Sequence, residues 1–160
     1  MSISRTLQTY LDHQWVHYDV LPHPEAFRAL AIAQTLHTPE KVMAKVVIVK
    51  VQERFVMTVL PASWNVDLHR LRTVLATHHV RLATEDEITG LFPDCELGAM
   101  PPFGNLYGLD VYVDQSLTED EEIVFQARTH SEAIRMRYWD FAGLVFPVVA
   151  EFHRSPSEVW

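Results

Sequence analysis

Apolar residues along the chain recur with two different spacings, one typical of helices and one typical of strands. Leu7, Tyr10 and Leu11 are three and four positions apart, which predicts an amphipathic helix over residues 4–13. From Trp15 to Val20 apolar and polar residues alternate, as in a half-buried strand. The same criteria predict helices over residues 26–36, 67–76, 84–91 and 138–144, and strands over residues 42–51, 55–60, 80–82, 109–113, 123–127 and 133–136.

These helices and strands interleave without the regular βαβ rhythm of a doubly wound nucleotide-binding fold. The sequence has no Gly-rich phosphate loop either. An α+β domain around a mixed, curved sheet fits the pattern better. With 160 residues, of which 48% are hydrophobic and 21% charged, the chain has the size and composition of one compact domain. We therefore expect residues 1–160 to form a single domain with a loose tail after Phe152.

Composition narrows the expected location and partners. The first residues lack the apolar stretch of a secretory signal, and no window approaches the roughly 20 apolar residues of a membrane span, so we expect a cytoplasmic protein without a membrane partner. The lone Cys95 cannot form an internal disulfide. A formal net charge of -8 argues against DNA binding, because affinity for phosphates comes chiefly from Lys and Arg. Any contact with RNA would have to be small, locally basic or assisted by a partner protein.

Lys45 interrupts the strongest apolar segment of the chain. The segment from Met43 to Val49 otherwise reads as a buried strand, where a lysine is costly unless it points into a polar cavity or finds partners. In a cleft its ammonium could hold a carbonyl, ribose or phosphate oxygen, or position a water, and a lowered pKa would permit proton transfer. The alternative is a strand-edge lysine whose amine reaches solvent.

A second candidate is a loop in which glycines flank a pair of prolines. It consists of Gly98, Ala99, Met100, Pro101, Pro102, Phe103 and Gly104. Such a loop suits a backbone that must approach a ligand closely, and its N–H groups could act as donors to a developing oxyanion. The same composition also fits a rigid connector without a ligand.

A third candidate is the polar turn formed by Thr129, His130 and Ser131 between two predicted strands. His130 could position a substrate or shuttle a proton, or it could simply hydrogen-bond the turn. The other histidines do not have the spacing of a metal site, and no Gly-x-Ser-x-Gly elbow predicts a serine hydrolase. We therefore expect neither a metal nor a cofactor.

Four short motifs occur in register along the chain. They are His23-Pro24, Ala44-Lys45 before an apolar strand, the segment from Gly98 to Pro102 followed by Phe103-Gly104, and Thr129-His130 ahead of Ile134-Arg135-Met136. Their order and spacing, from about His23 to Val145, resemble those of the YbaK and prolyl-tRNA synthetase-associated editing domain family. Each motif is weak alone, but the four together are moderately to strongly specific.

The resemblance implies a mixed, barrel-like sheet surrounded by helices, and a hydrolase activity. The implied substrate is the ester of a small mischarged amino acid, such as Ala or Cys on tRNA-Pro, cleaved in trans. Lys45 is then the catalytic residue, and Gly98, Ala99, Met100, Pro101, Pro102 and His130 contact the substrate. The implied partners are the acceptor end of an aminoacyl-tRNA and, as a second candidate, an aminoacyl-tRNA synthetase. No metal is implied.

Val46 departs from the family pattern, because many relatives carry a small polar residue directly after the lysine. The change removes a candidate hydrogen-bond partner for the substrate and leaves the amino-acid specificity open.

Two other functions fit the same residues. One is a non-catalytic module that binds a ligand or a synthetase, and the other is a hydrolase of a different small ester or amide.

Overall fold

The computed structural model describes residues 3–26 and 29–154. Within these residues the helices are α1 (Ile3–His13), α2 (Ala29–Thr35), α3 (Leu68–Leu75), α4 (Glu85–Leu91) and α5 (Tyr138–Val145). The strands are β1 (Tyr18–Pro22), β2 (Ala44–Val51), β3 (Arg54–Pro61), β4 (Asn65–Val66), β5 (Val80–Leu82), β6 (Asp110–Asp114), β7 (Glu122–Gln126), β8 (Glu132–Arg137), β9 (Val148–Ala150) and β10 (His153–Arg154). Two 3-10 helices cover Gly104–Tyr107 and Gln115–Glu119. None of the helices in the described part of the chain has the length and apolarity needed to cross a membrane.

The strands form three sheets in the described residues. The largest has the order β5-β2-β3-β6-β9 and is mixed, since β5, β2 and β3 pair antiparallel whereas β3, β6 and β9 pair parallel. An antiparallel sheet has the order β1-β8-β7, and β4 pairs with β10. A parallel bridge from Met43 to Val124 connects the two larger sheets. The predicted α+β class with a mixed sheet is confirmed, although these strands do not close into a barrel.

The hairpin of β2 and β3 forms the centre of the molecule. Its register pairs Ala44 with Pro61 and continues to Val51 opposite Arg54, with a two-residue turn between the strands. Val and Ile dominate β2, and β-branched residues pack well on a pleated, buried surface. The main core contains Ile48 and Met57 of this hairpin together with a cluster of aromatic rings. In that cluster Phe103 meets Phe125 and Phe141 edge-on, at centroid distances of 5.6 and 5.5 Å.

Two helices begin at capping side chains. Asp67 caps α3 by accepting hydrogen bonds from the backbone N–H groups of His69 and Arg70, at 2.9 and 3.1 Å. Thr84 and Glu87 form a reciprocal capping box at the start of α4. These contacts fix where both helices begin, because each satisfies backbone donors that the first turn leaves unpaired.

Two local expectations were wrong. The strand expected over residues 15–20 is β1 at Tyr18–Pro22, because its pairing with β8 runs from Tyr18–Met136 to Pro22–Glu132. Pro22 is tolerated there since β1 is an edge strand. The tail after Phe152 is not loose at its start: residues 153–154 form β10, and the Phe152 N–H donates to the buried Asp114 carboxylate at 3.0 Å. Residues 155–160 lie outside the described part of the chain.

Candidate functional site

Lys45 lies on a stretch of β2 that has one open edge. Strand β3 pairs with β2 along its whole length. On its other edge, β2 pairs with β5 only at Val49–Val51, and Met43, just before the start of β2, forms a bridge with Val124 of β7. Among the described residues, the backbone from 44 to 47 is therefore paired on one side alone. An open strand edge next to a lysine offers both charge and backbone hydrogen-bonding groups to a ligand.

A cavity of about 400 Å³ adjoins this stretch, and we refer to it as the Lys45 cavity. Helix α2, strand β2, the segment around β4, the proline-containing loop and strand β7 all contribute to its walls. The described lining residues are Ala29, Leu30, Lys45, Val46, Ala62, Asn65, Gly98 and Gln126. Three of these side chains, those of Lys45, Asn65 and Gln126, carry polar groups. A cavity with a few convergent polar groups is the usual form of a small-molecule site.

The Lys45 amine is half-buried and weakly held. Its Nζ donates to Asn65 Oδ1 at 3.5 Å. Within the described residues no carboxylate lies within salt-bridge distance of this amine, which leaves its charge uncompensated. Burial lowers the pKa of Lys45 from its ordinary value of 10.5, because removal from water disfavours the charged form. The amine therefore has N–H groups available for a bound oxygen and holds its proton less tightly than a surface lysine.

The loop from Gly98 to Pro102 contributes to the cavity through its first residue. Gly98 is exposed and has a φ of 88°, in the left-handed region that favours glycine. Space does not require a glycine, since a Cβ at this position would meet His130 Cε1 at an ordinary 3.6 Å. Ala99, Pro101 and Pro102 are buried beneath the surface. Of the loop residues predicted to contact a substrate, Gly98 lines this cavity and Met100 lines the neighbouring groove described below.

The far end of the loop is fixed by packing. Phe103 is fully buried, and a Cβ on Gly104 would lie 2.6 Å from Val111 Cγ2 and 3.0 Å from the Leu109 carbonyl oxygen. Gly104 is thus required for close packing against β6 and not for approach to a ligand. The Ala99 N–H donates to the Glu96 carbonyl at 3.0 Å, so it is already used inside the loop. The Ala99 N–H is therefore not available as a hydrogen-bond donor to an oxyanion.

His130 lies behind the loop and is only 3% exposed. Its Nε2 lies 2.7 Å from the Leu97 carbonyl oxygen, and its Nδ1 lies 3.2 Å from Gln126 Oε1. The Gln126 Nε2 group in turn donates to the Gly98 carbonyl at 3.1 Å. The described cavity lining includes Gln126 and not His130. The structure thus brings Lys45 and Gly98 together, and it places His130 where it supports the loop from behind.

Asn65 and Gln126 are site residues that the sequence did not single out. Gln126 lies inside the strand predicted over residues 123–127, and Asn65 lies outside every predicted helix and strand. Gln126 carries a signal comparable to that of Lys45, because it is the polar residue in the strand predicted over residues 123–127, and the structure leaves it only 5% exposed. Asn65 carries no such signal, since it belongs to a two-residue strand whose partner, β10, is distant in sequence.

A second, more apolar depression adjoins the Lys45 cavity, and we call it the apolar groove. Its volume is about 270 Å³. Val46 and Gly98 line both spaces and form the wall between them. The residue directly after the lysine therefore borders both spaces, and Val46 presents an apolar surface there.

Five basic side chains of the described residues are paired with acidic neighbours. Lys41 pairs with Glu119 and Asp120, Lys50 with Glu87, Arg54 with Asp110, Arg128 with Asp94, and Arg135 with Asp19 and Glu122. Arg128 is moreover buried, at 3% exposure. These five cations therefore do not form an open electropositive face for a nucleic acid.

Comparison with known proteins decides the family. Residues 23–144 match the model of the aminoacyl-tRNA editing domain, a range that includes Lys45, the Gly98 to Pro102 loop and His130. The chain belongs to the aminoacyl-tRNA editing domain family. The match also includes Asn65 and Gln126, so the polar residues of the described cavity lining all belong to the editing domain.

Individual relatives agree with this assignment. The editing domain is 30% identical over 77 residues to the proline-tRNA ligase of Macrococcus caseolyticus (strain JCSC5402), covering 48% of this chain and 13% of the ligase. Among solved structures it resembles a protein described as a proposed trans-editing enzyme for prolyl-tRNA synthetase, with a TM-score of 0.85, 20% identity and coverage of 97% and 99% of the two chains. The hypothetical protein APE2540 gives a TM-score of 0.84 at 16% identity, with coverage of 92% and 99%. At these identities the solved structures establish the shared fold.

The arrangement limits the chemistry that the editing domain can perform. The described lining of the Lys45 cavity contains an ammonium and two amides, and it contains no carboxylate, imidazole or thiol. These groups can donate hydrogen bonds to a carbonyl or ribose oxygen and can orient a water molecule, whereas none is an ordinary general base or nucleophile at neutral pH. The site is therefore suited to binding and polarising a substrate that is already reactive, such as an ester.

Proposed function

We propose that this chain is an aminoacyl-tRNA deacylase that acts in trans, in the cytoplasm, on the ester of a small mischarged amino acid. Ala or Cys on tRNA-Pro is the substrate class that we favour, and the acceptor end of the tRNA is the partner. The observation that carries this proposal is the Lys45 amine, which has no carboxylate at salt-bridge distance among the described residues and lines a cavity together with Gly98, Asn65 and Gln126 in a chain of the editing family.

In this proposal Lys45 acts as a hydrogen-bond donor to the reacting ester. An ammonium group has three N–H donors, and Asn65 takes one of them at 3.5 Å. Another can bind the carbonyl oxygen, where negative charge develops as water attacks. Because the Ala99 N–H is committed to Glu96, we assign this stabilisation to Lys45. Asn65 then positions the amine.

The proposed reaction is a simple hydrolysis. Water adds to the carbonyl carbon, the bond between this carbon and the ribose oxygen breaks, and the ribose oxygen leaves as a hydroxyl carrying a proton from the water. The released amino acid ionises in solution. Since the described cavity lining offers no carboxylate or imidazole as a base, we assign the rate gain mainly to positioning of the ester, the water and the terminal ribose.

Selection among amino acids would follow from the size of the cavity. Its apolar wall is formed by Ala29, Leu30, Val46 and Ala62. A pocket of this kind rejects side chains that are too large, whereas it separates two small side chains poorly. We therefore expect one or a few small amino acids to be removed, and the correct, larger amino acid to be spared.

The test is release of labelled amino acid from a panel of mischarged tRNAs, comparing the wild type with Lys45→Met. We expect the substitution to lower the rate constant by about 100-fold or more, as when a principal oxyanion donor is lost. Lys50→Met is the matched control, because Lys50 lies on the same strand and outside the described cavity lining. Equal rates for Lys45→Met and the wild type would contradict the assigned role.

A second function is favoured by the same cavity chemistry. The described lining contains no general base, and five cations of the domain are paired with carboxylates. Both observations fit a module that binds an aminoacyl ligand or a synthetase without turnover. If no mischarged tRNA is hydrolysed, even with a synthetase added, while ligand binding persists, the binding module replaces the deacylase.

A further inference from the structure

A further cavity of about 460 Å³, which we call the acidic cavity, has no described lining residue in common with the Lys45 cavity. It lies between the segment that follows α2, the end of the second 3-10 helix, and strands β7 and β8. Four consecutive acidic residues belong to its described lining, Glu119, Asp120, Glu121 and Glu122. None of them takes part in the proposed deacylation, so a ligand of this cavity would bind independently of that reaction.

Basic side chains compensate these carboxylates only in part. Lys41 Nζ lies 3.7 Å from a carboxylate oxygen of both Glu119 and Asp120. Both distances are longer than the hydrogen bonds of a tight ion pair, which measure about 2.7–2.9 Å. Arg135 makes its shortest ion pair, at 2.9 Å, with Asp19, which lies outside the described lining. The described residues therefore leave the acidic cavity with a net negative charge.

Asp120 is a buried carboxylate with an unused acceptor on the wall of this cavity. Its side chain is only 10% exposed, and its Oδ2 atom is buried and accepts no hydrogen bond from the described residues. Burial raises the pKa of Asp120 from its ordinary value of 3.8, and the nearby Lys41 offsets only a part of this effect. Buried acceptors are normally satisfied, so this carboxylate favours a ligand that brings positive charge and N–H donors.

The arrangement of the acidic residues favours an organic cation over a metal ion. Among the described residues, no three His, Cys, Asp or Glu side chains are grouped so that they could hold a metal. The volume of about 460 Å³ lies within the range of organic-ligand sites, about 300–1,000 Å³. A cation with several amines along its length would meet these carboxylates one by one.

The opposite part of the lining is aliphatic and would suit the chain between such amines. It consists of Leu36, Pro39, Val42 and Val124. Methylene groups that pack against these side chains are removed from water, which favours binding. This part begins directly after α2, at the helix end where backbone carbonyl groups carry a partial negative charge. We propose that the acidic cavity binds an aliphatic polyamine, with its ammonium groups on the carboxylates and its methylene groups on the aliphatic wall.

The test is calorimetric titration of the whole chain with spermidine, a triamine, at about 0.1 M salt, where exposed charges more than about 10 Å apart are screened. Asp120→Asn keeps the shape of the side chain and removes its charge, so the dissociation constant should rise about tenfold. Glu53→Gln is the matched control, because Glu53 is exposed in the turn between β2 and β3 and lies outside the described lining. Its dissociation constant should stay within about twofold of the wild-type value.

A second variant separates loss of the site from loss of the fold. Circular dichroism should show that Asp120→Asn unfolds thermally no earlier than the wild type, because the substitution removes a poorly solvated charge. Glu121→Gln changes an exposed side chain of the same lining and should weaken spermidine binding by about threefold. If neither variant weakens binding, the carboxylates of the acidic cavity do not hold the amines and the proposal is wrong.

A capped lysine, Nα-acetyl-lysine methylamide, distinguishes a free polyamine from the lysine side chain of a partner protein. It carries a single ammonium on a methylene chain and should bind at least about tenfold more weakly than spermidine. Equal or tighter binding of the capped lysine would assign the cavity to a protein lysine and overturn the proposal. Failure of the wild type to bind spermidine would also overturn it. So would a loss of affinity in Glu53→Gln equal to that in Asp120→Asn, because the attraction would then be spread over the whole acidic surface.

Discussion

Gln126 connects the two parts of the site, and replacing it with leucine tests this arrangement. Its Nε2 group donates to the Gly98 carbonyl oxygen at 3.1 Å, and its Oε1 atom accepts a hydrogen bond from His130 Nδ1 at 3.2 Å. Leucine has a similar volume and retains neither contact. The substitution should therefore detach the start of the loop from β7 without creating a large cavity.

The expected cost follows from the burial of the two partners. Losing a hydrogen bond so that a buried polar group stays behind costs about 1–3 kcal/mol. His130 is 3% exposed, so the loss of its Gln126 contact falls in the middle of this range, whereas Gly98 is exposed and its carbonyl can regain a hydrogen bond from water. The leucine side chain also buries apolar area, which offsets a part of this free-energy cost. We expect a net destabilisation of about 1.5 kcal/mol, which raises the ratio of unfolded to folded chain by about 13-fold.

Urea unfolding followed by circular dichroism measures this cost. Gln115→Leu is the matched control, because Gln115 is exposed on the second 3-10 helix, and its free energy of unfolding should change by less than about 0.5 kcal/mol. The reasoning would be refuted if Gln126→Leu were as stable as the control. It would also fail if the variant were destabilised while hydrogen exchange around Gly98 stayed unchanged, because the loop would then be held by other contacts.

Three further predictions test individual groups. Burial lowers the pKa of Lys45, so the folded chain disfavours the ammonium at neutral pH, and this penalty fades as the pH rises through the lowered pKa toward 10.5. The stability gained by Lys45→Met should therefore shrink between about pH 7 and about pH 10 in urea titrations, and a gain that stays constant over this range would contradict the argument. Thr84→Ala removes the cap of α4 and should lower the free energy of unfolding by about 1 kcal/mol, measured by thermal or urea unfolding. The control Thr89→Ala in the same helix should change it by less than about 0.5 kcal/mol, and equal effects of the two substitutions would speak against the capping box. Burial raises the pKa of the Cys95 thiol, so iodoacetamide should modify it about tenfold more slowly in the folded protein than in the urea-unfolded chain, and equal rates would show that the thiol is accessible.

Local patterns in the sequence predicted most helices and strands because these elements depend on contacts a few residues apart. The capping box of Thr84 and Glu87, the cap at Asp67 and the hairpin of β2 and β3 are all of this kind. The position of β1 was missed because its ends are set by pairing with β8, more than a hundred residues away. Strand pairing over such distances leaves little trace in the spacing of apolar residues.

The same distinction applies to the site. Lys45 could be singled out as a candidate because a charge inside an apolar strand violates a local rule, and Gly98 because glycines flank the loop that contains the paired prolines. His130 was also identified from a motif, but its position behind the loop depends on how β7 and the loop pack together. A motif identifies residues that act together, and it does not specify which of them faces the ligand.

Asn65 shows how far the determinants of a site can lie from it. This residue holds the Lys45 amine and belongs to β4, whose partner is β10, with Asn65 opposite Arg154. Strand β10 is fixed in turn because the fully buried Asp114 accepts hydrogen bonds from the Phe152 N–H at 3.0 Å and from His153 Nδ1 at 3.0 Å. A buried carboxylate on β6 thus helps to hold a side chain in the Lys45 cavity through two short strands. Because each strand has only two residues, neither has a hydrophobic period, and their pairing could be recognised only in the folded chain.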